Sequence, residues 1–180
     1  MSRNDSIVYT YGGNLYINMT NRCPCRCTFC VRQLSGGLGN ADSLWLESEP
    51  TVKAVMDELG EWDLEKYNEV VFCGYGEPTV RLNEVLDICR ILKAGGQART
   101  RINTNGLADL IHKEPTARKL EGLVDSISIS LNEADGKAYE KLCRPAFGGR
   151  SHRAILRYIE DAKKYVPHVA VSVVGCIPED

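Results

Sequence analysis

One eight-residue segment of this chain contains four cysteines, Cys23, Cys25, Cys27 and Cys30. Pro24 keeps the segment out of helical geometry, and strand-forming residues lie directly before it. Closely spaced cysteine thiolates are the usual ligands of iron-sulfur clusters, and a loop can wrap the corners of a cluster more easily than a helix or strand can. The segment therefore predicts a metal-binding loop that follows a strand.

The number of ligating cysteines decides what such a loop can do. If all four ligate, the site is either a structural zinc site or a closed electron-transfer cluster, although zinc sites usually separate two cysteine pairs more widely. If only Cys23, Cys27 and Cys30 ligate, one iron of a 4Fe-4S cluster has no protein ligand and can bind a small molecule. The role of Cys25 separates these alternatives.

Composition favours reduced thiols over disulfides. The chain has eight cysteines, and its 180 residues are enough to bury a core without disulfide bonds. Its polar N-terminus lacks an apolar signal segment, so we expect a cytoplasmic protein with no membrane span. With 24 acidic and 22 basic residues and no run of like charge, no nucleic-acid or membrane partner is indicated.

Apolar periodicity alternates between strand and helix along the chain. Residues 7–11 and 15–19 are expected to pair as a hairpin around Gly12 and Gly13. Further strands are predicted at 69–73, 100–102, 124–131 and 169–174, and helices at 48–60, 82–92, 114–123, 134–142 and 151–165. This alternation predicts an α/β fold with right-handed crossovers and a mainly parallel sheet.

Two motifs give the chain a family resemblance. The pattern Cys23-x3-Cys27-x2-Cys30, with Phe29 before the last cysteine, resembles the radical S-adenosylmethionine (SAM) signature. The segment from Gly74 to Thr79, GYGEPT, resembles the GEP motif that follows the next strand in that superfamily. Residues 11–16, 41–46 and 103–110 are similar to the TatD family-associated radical SAM proteins.

The resemblance implies a cofactor pair and a type of reaction. SAM would chelate the open iron of a 4Fe-4S cluster through its amino and carboxylate groups, and an electron from the reduced cluster would cleave it to methionine and a 5′-deoxyadenosyl radical. That radical would abstract hydrogen from a substrate that the sequence does not name. An electron donor such as flavodoxin or ferredoxin would be the partner, and no catalytic side chain is singled out.

The resemblance also implies which residues contact SAM. They share positions after the predicted strands or beside the cysteine loop: Phe29, Gly74, Gly76, Glu77, Asn105, Ser130 and Asn132. Each has a structural alternative, since Gly-Pro turns and alternating polar strand residues are common. Arg144 is expected either to reach the SAM carboxylate or to cap a helix.

The remaining cysteines and histidines indicate no second site. Cys73, Cys89, Cys143 and Cys176 are scattered along the sequence, and Cys89 lies on the apolar face of a predicted helix. His112, His152 and His168 have no metal-ligand spacing and are expected to be structural or surface residues.

The implied fold is an incomplete parallel β/α barrel with an N-terminal hairpin. Five barrel strands are predicted, whereas related enzymes usually have six, so we expect residues 1–180 to form one domain that lacks its last strand. A partner covering the exposed edge strand is the alternative. For function, the alternative is a non-catalytic zinc-binding or iron-sulfur module that is structural or transfers electrons.

Overall fold

The computed structural model describes residues 7–33, 38–96 and 98–174, and it confirms the predicted alternation of strands and helices. The strands are β1 (Val8–Tyr11), β2 (Asn14–Ile17), β3 (Val70–Phe72), β4 (Thr100–Thr104), β5 (Ser126–Ser130) and β6 (His168–Ser172). The α-helices are α1 (Val52–Leu59), α2 (Leu82–Ala94), α3 (Ala108–His112), α4 (Gly136–Cys143) and α5 (Arg150–Tyr165). Short 3-10 turns cover Val31–Gln33, Leu64–Lys66, Pro78–Arg81 and Ala117–Leu120.

Within the described part of the chain, the six strands form one sheet in chain order, and this sheet is not closed. β1 and β2 pair antiparallel as the predicted hairpin, whose turn residues Gly12 and Gly13 both have positive φ. β2 to β6 are parallel, which gives the five barrel strands expected from the sequence. An open order of adjacent parallel strands agrees with the predicted incomplete barrel, and the carboxyl ends of its strands share one edge.

Two predicted helix boundaries differ from the structure. α1 begins at Val52, after Thr51, whose side chain accepts a hydrogen bond from the Ala54 backbone N–H. Thr51 therefore replaces the predicted start at 48–50 as the helix cap. The predicted helix at 114–123 is replaced by α3 and the short turn Ala117–Leu120, because Lys113 ends α3 in left-handed geometry and Pro115 follows.

The two faces of the sheet carry different residues, as the alternation in β5 predicts. Ile127 and Ile129 are buried in the main core beneath the helices, whereas Ser126, Ser128 and Ser130 lie half-buried on the opposite face. A second, smaller apolar cluster covers that opposite face near β1, β2 and β3. It contains Tyr9, Tyr16, Ala41, Leu44, Val71 and Tyr75.

The predicted histidine roles agree with the contacts of His112 and His152. His112 Nε2 lies 2.7 Å from the Thr79 carbonyl oxygen, and His152 Nε2 lies 2.9 Å from that of Glu133. Cys176 lies outside the described residues. In residues 7–33, 38–96 and 98–174, no helix is long and apolar enough to cross a membrane.

Asp125 ties the start of β5 to its neighbours, and its replacement should reduce stability in a pH-dependent way. Lys93 Nζ lies 2.5 and 2.6 Å from its two carboxylate oxygens, and the Thr100 N–H donates to Oδ2 at 2.7 Å. Burial disfavours the charged form, but the hydrogen bonds from Lys93 and Thr100 outweigh it and lower the pKa of Asp125. Asp125→Asn should cost about 1–2 kcal/mol of unfolding free energy at pH 7.

The sign of the pH dependence follows from that lowered pKa. The stabilisation by Asp125 is present above the unfolded pKa of about 3.9 and is lost as the pH falls through the folded value. Urea unfolding should therefore show a difference between the native chain and Asp125→Asn that shrinks below about pH 4. Asp161→Asn, which removes an exposed pair with Lys164, is the control. Equal effects of the two variants would contradict this role.

Candidate metal centre

The candidate site lies at the edge of the sheet where the parallel strands end. The cysteine loop follows β2, the GYGEP segment follows β3, and Asn105 follows β4. Ser130 ends β5, and Asn132 comes two residues later. Because the carboxyl ends of neighbouring parallel strands meet at one edge, the fold gathers segments that are far apart in sequence.

The cysteine loop is held by the end of α4 through backbone hydrogen bonds. The N–H groups of Arg26 and Thr28 donate to the carbonyl oxygens of Cys143 and Leu142, both at 3.0 Å. The Ala146 N–H donates to the Pro24 carbonyl oxygen at 2.7 Å. These three bonds fix the backbone on both sides of Cys27.

The loop divides its thiols between the surface and the interior. Cys23, Cys27 and Cys30 are partly exposed, whereas Cys25 is only 2% exposed. The Cys25 sulfur lies 3.9 Å from the Tyr139 hydroxyl of α4. Cys25 therefore faces α4, whereas the other three thiols remain accessible.

Neighbouring thiols shift the pKa values of Cys23, Cys25, Cys27 and Cys143. The pKa of Cys27 is lowered to about 3, chiefly by hydrogen bonds from Cys143 and then Cys25, and that of Cys23 is lowered chiefly by a hydrogen bond from Cys25. The pKa values of Cys25 and Cys143 are raised, chiefly because their thiols are the donors in these bonds. Cys23 and Cys27 are thus favoured as thiolates, the form that binds iron.

Arg32 supplies positive charge beside Cys30. Its Nε lies 3.4 Å from the Cys30 sulfur, and its other guanidinium nitrogens donate to the carbonyl oxygens of Asn21 and Cys25 at 3.2 and 3.5 Å. The guanidinium carbon also lies 5.9 Å from the centre of the Trp45 ring. The cation is therefore fixed next to a predicted ligand.

Gly74 and Gly76 allow the GYGEP segment to approach the chain that leads into the cysteine loop. A Cβ atom on Gly74 would lie 2.1 Å from Asn18 Oδ1. On Gly76 it would lie 2.1 Å from the Thr20 carbonyl oxygen and 2.8 Å from that of Arg22. Neighbouring protein atoms already fill the space that a side chain would need, so only glycine fits at these two positions.

We expect Gly76→Ala to destabilise the chain by about 3 kcal/mol, because the methyl group would meet backbone atoms that cannot move independently. Gly136→Ala is the matched control, since a Cβ there makes only an ordinary 3.6 Å contact with His152. Thermal or urea unfolding should show a large loss for the first variant and almost none for the second. Similar stabilities would contradict the close approach seen at Gly76.

Glu77 is buried, and both of its carboxylate oxygens accept hydrogen bonds from groups of the protein. Oε1 accepts hydrogen bonds from the Thr79 N–H at 3.0 Å and from the Thr79 and Thr104 hydroxyls, each at 2.7 Å. Oε2 accepts from the Asn105 N–H at 2.7 Å. Burial raises the pKa of Glu77, and these hydrogen bonds oppose the rise. The carboxylate therefore links the GYGEP segment to the end of β4, and a ligand ammonium would have to share its oxygens.

The other predicted cofactor residues lie at the same edge, at different distances from the thiols. Asn105 Nδ2 lies 3.8 Å from the sulfurs of both Cys23 and Cys25. Asn132, which has φ +65°, places its Nδ2 3.4 Å from the Cys143 sulfur. Phe29 is half-buried against the main core, and Ser130 lies half-buried on the opposite face of the sheet.

Cys143 and Tyr139 are site residues that the sequence analysis missed. The sequence groups Cys143 with the scattered cysteines, but in the structure its carbonyl oxygen accepts a hydrogen bond from the Arg26 N–H of the cysteine loop, and its sulfur lies 3.4 Å from Asn132 Nδ2. No local signal identifies either residue, because both reach the loop only through the packing of α4. Arg144 is the C-terminal cap residue of α4 in left-handed geometry, its backbone N–H donates to the Glu140 carbonyl oxygen, and its side chain is exposed. The two roles predicted for its guanidinium stay predictions.

The thiols do not surround a single point. Within residues 7–33, 38–96 and 98–174, no three Cys, His, Asp or Glu side chains are arranged to hold one metal ion. A zinc ion needs donors that converge on one point, whereas each cysteine of a 4Fe-4S cluster binds a different iron.

Comparison with protein families identifies this arrangement. The model of the radical SAM superfamily matches residues 17–179, which include the cysteine loop and the GYGEP segment. The chain belongs to this superfamily. Radical SAM enzymes use a 4Fe-4S cluster and SAM as cofactors.

Two curated radical SAM enzymes are each similar to part of this chain. A dual-specificity RNA methyltransferase RlmN of Helicobacter pylori strain P12 is 33% identical over 124 residues, which cover 67% of this chain and 32% of the relative. A GTP 3',8-cyclase of Brucella abortus strain S19 is 28% identical over 168 residues, which cover 89% of this chain and 44% of the cyclase. The chain spans less than half the length of each.

The fold also matches a solved radical SAM structure, that of TYW1 with a lysine-pyruvate adduct bound. The TM-score is 0.60 at 13% sequence identity, and the match covers 91% of this chain and 56% of TYW1. At this identity the likeness concerns the fold alone.

The thiols fit the superfamily's cluster in their chemistry. Cys23, Cys27 and Cys30 have the signature spacing and are partly exposed, and positive charge lies beside Cys30. Asn105 adds an amide donor beside Cys23, the kind of hydrogen bond that tunes iron-sulfur sites.

Proposed function

We propose that this chain is a radical SAM enzyme, that Cys23, Cys27 and Cys30 hold its 4Fe-4S cluster, and that it belongs among the TatD family-associated members. The observation that carries the proposal is the inward position of Cys25 against Tyr139, which leaves three accessible thiols in the signature spacing. Three cysteine ligands leave one iron open for SAM. SAM held there would supply radical chemistry for hydrogen abstraction from a substrate.

The protein's own part in this reaction is to hold and shield the site. The backbone hydrogen bonds to α4 fix the loop around Cys27, and Arg32 offsets negative charge at Cys30. Thr79, Thr104 and the Asn105 N–H hold the Glu77 carboxylate, so the segments after β3 and β4 keep one relative position. Such preorganisation is what a protein adds to chemistry that resides in its cofactor.

We propose that SAM is bound by residues at the carboxyl ends of the strands and beside the cysteine loop. Phe29, Gly74, Gly76, Glu77, Asn105, Ser130 and Asn132 all lie at the strand ends or beside the loop. Because the side chain of Glu77 is already bonded within the protein, we assign ammonium recognition chiefly to backbone groups of the GYGEP segment. A low-potential donor such as flavodoxin or ferredoxin would supply the electron.

Anaerobic reconstitution with iron and sulfide tests the proposal. After reduction with dithionite, addition of SAM should give methionine and 5′-deoxyadenosine, and SAM should change the EPR spectrum of the reduced cluster. An intact, reduced cluster with no response to SAM would refute the catalytic function. Zinc without sulfide, after oxygen-free preparation, would favour a structural site instead.

A further inference from the structure

A surface groove of about 390 Å³ lies where the first half of α5 meets α3, and we call it the arginine groove. Its lining residues are Leu110, Gly149, Arg150, Arg153, Ala154 and Arg157. The spacing of three and then four residues places the arginines on one side of α5, opposite the side that is buried in the core. None of these residues belongs to the candidate metal centre.

The arginine groove carries positive charge that the protein does not neutralise. All three arginines are exposed, and within the described part of the chain their side chains have no ion-pair or hydrogen-bond partner. None of the described residues that line the groove is acidic. The other end of α5 differs, because Lys163 and Lys164 pair with Glu160 and Asp161 at 2.8 and 2.6 Å. The unpaired cations of this helix therefore lie in its first half.

These positions are unfavourable for α5 itself. The N-terminal end of a helix carries partial positive charge, which disfavours further cations, and Arg150 is the first residue of α5. Like charges three or four residues apart also repel each other, as Arg150 does Arg153 and Arg153 does Arg157. The first turn contains no acidic residue to offset them. The arginines therefore do not stabilise the helix, and a bound anion would relieve their repulsion.

We propose that the arginine groove binds a ligand that carries a diphosphate group. This inference goes beyond the proposed function and does not need the cluster. Guanidinium groups donate paired hydrogen bonds to phosphate oxygens, and three of them exceed the charge of one phosphate, about −2 at most near pH 7. From Arg150 to Arg157 the helix rises about 10 Å, more than one phosphate group bridges. An RNA strand would need basic residues along many phosphates, whereas these arginines lie in one groove.

Isothermal titration calorimetry of the full chain with inorganic pyrophosphate at low salt tests the proposal. We expect one site with a Kd below about 1 mM. Arg153→Gln should weaken binding at least about tenfold, because it removes a charged donor of paired hydrogen bonds. Without ligand, this variant should melt at the temperature of the native chain or up to about 3 °C higher, since it relieves repulsion within α5.

Lys163→Gln is the matched control. It removes one cation from the same helix, but a cation that is already paired with Glu160, so it should bind pyrophosphate as the native chain does. Uridine diphosphate is the second probe, because it carries the same group on an organic molecule. Tighter binding than that of pyrophosphate would identify an organic diphosphate as the ligand, and equal binding would assign recognition to the diphosphate alone; both results support the proposal.

Several results would overturn the proposal. They are the absence of saturable pyrophosphate binding, an equal affinity in Arg153→Gln, and binding of orthophosphate as tight as that of pyrophosphate. Tighter binding of a short single-stranded RNA would assign the groove to nucleic acid instead. A marked fall in the melting temperature of Arg153→Gln would give the arginine a structural role. Because these measurements need no iron, failure of cluster reconstitution would leave them unaffected, and the two proposals can fail separately.

Discussion

Cys30→Ala should abolish the 4Fe-4S cluster and with it all SAM cleavage. A three-cysteine site has no spare ligand, and Cys25, the other thiol of the loop, is turned toward Tyr139 and is 2% exposed. We expect iron and sulfide to fall to background after anaerobic reconstitution, together with the brown colour. Methionine and 5′-deoxyadenosine should not form above the rate without enzyme.

Cys25→Ala is the matched control, because it removes a thiol from the same loop. It should retain the full iron and sulfide content and the response to SAM, and it should cost at most about 1 kcal/mol of stability, since only one small buried group is lost. If Cys25→Ala lost the cluster as completely as Cys30→Ala, all four thiols would be ligands. The open iron, and the enzyme activity that depends on it, would then be excluded.

Glu77→Ala should lower the unfolding free energy by about 3–5 kcal/mol, a large part of the stability of a domain of this size. The carboxylate accepts four hydrogen bonds and is 4% exposed, so its removal leaves the N–H groups of Thr79 and Asn105 buried without partners. Urea unfolding of the chain before reconstitution isolates this effect from cofactor binding.

Two further variants serve as comparisons for Glu77→Ala: one removes only the charge of Glu77, and the other removes an exposed glutamate elsewhere. Glu77→Gln keeps the shape and one carbonyl oxygen but places an N–H₂ group against a donor, so it should lose an intermediate amount. Glu61→Ala, at an exposed glutamate, should change stability by less than about 0.5 kcal/mol. A Glu77→Ala variant as stable as the native chain, yet unable to bind SAM, would instead assign Glu77 to the ligand.

The order of the elements could be predicted from the sequence because their causes are local. Gly12 and Gly13 tolerate the positive φ values of a hairpin turn, and β-branched runs followed by helical periodicity gave the five parallel strands. Helix ends were predicted less well. Thr51 caps α1, and Lys113 ends α3, through geometry that composition alone does not fix.

The candidate ligands were also predictable, because Cys23, Cys27 and Cys30 are close in the chain and their spacing alone describes a loop that can wrap a cluster. What holds that loop was decided only by the tertiary structure. Cys143 and Tyr139 reach it because α4 packs against it, and Glu77 is bonded by Thr104 and Asn105 because β3 and β4 end side by side. Contacts between residues distant in sequence leave no local pattern, since they arise from the packing of whole elements and not from the preferences of any one segment.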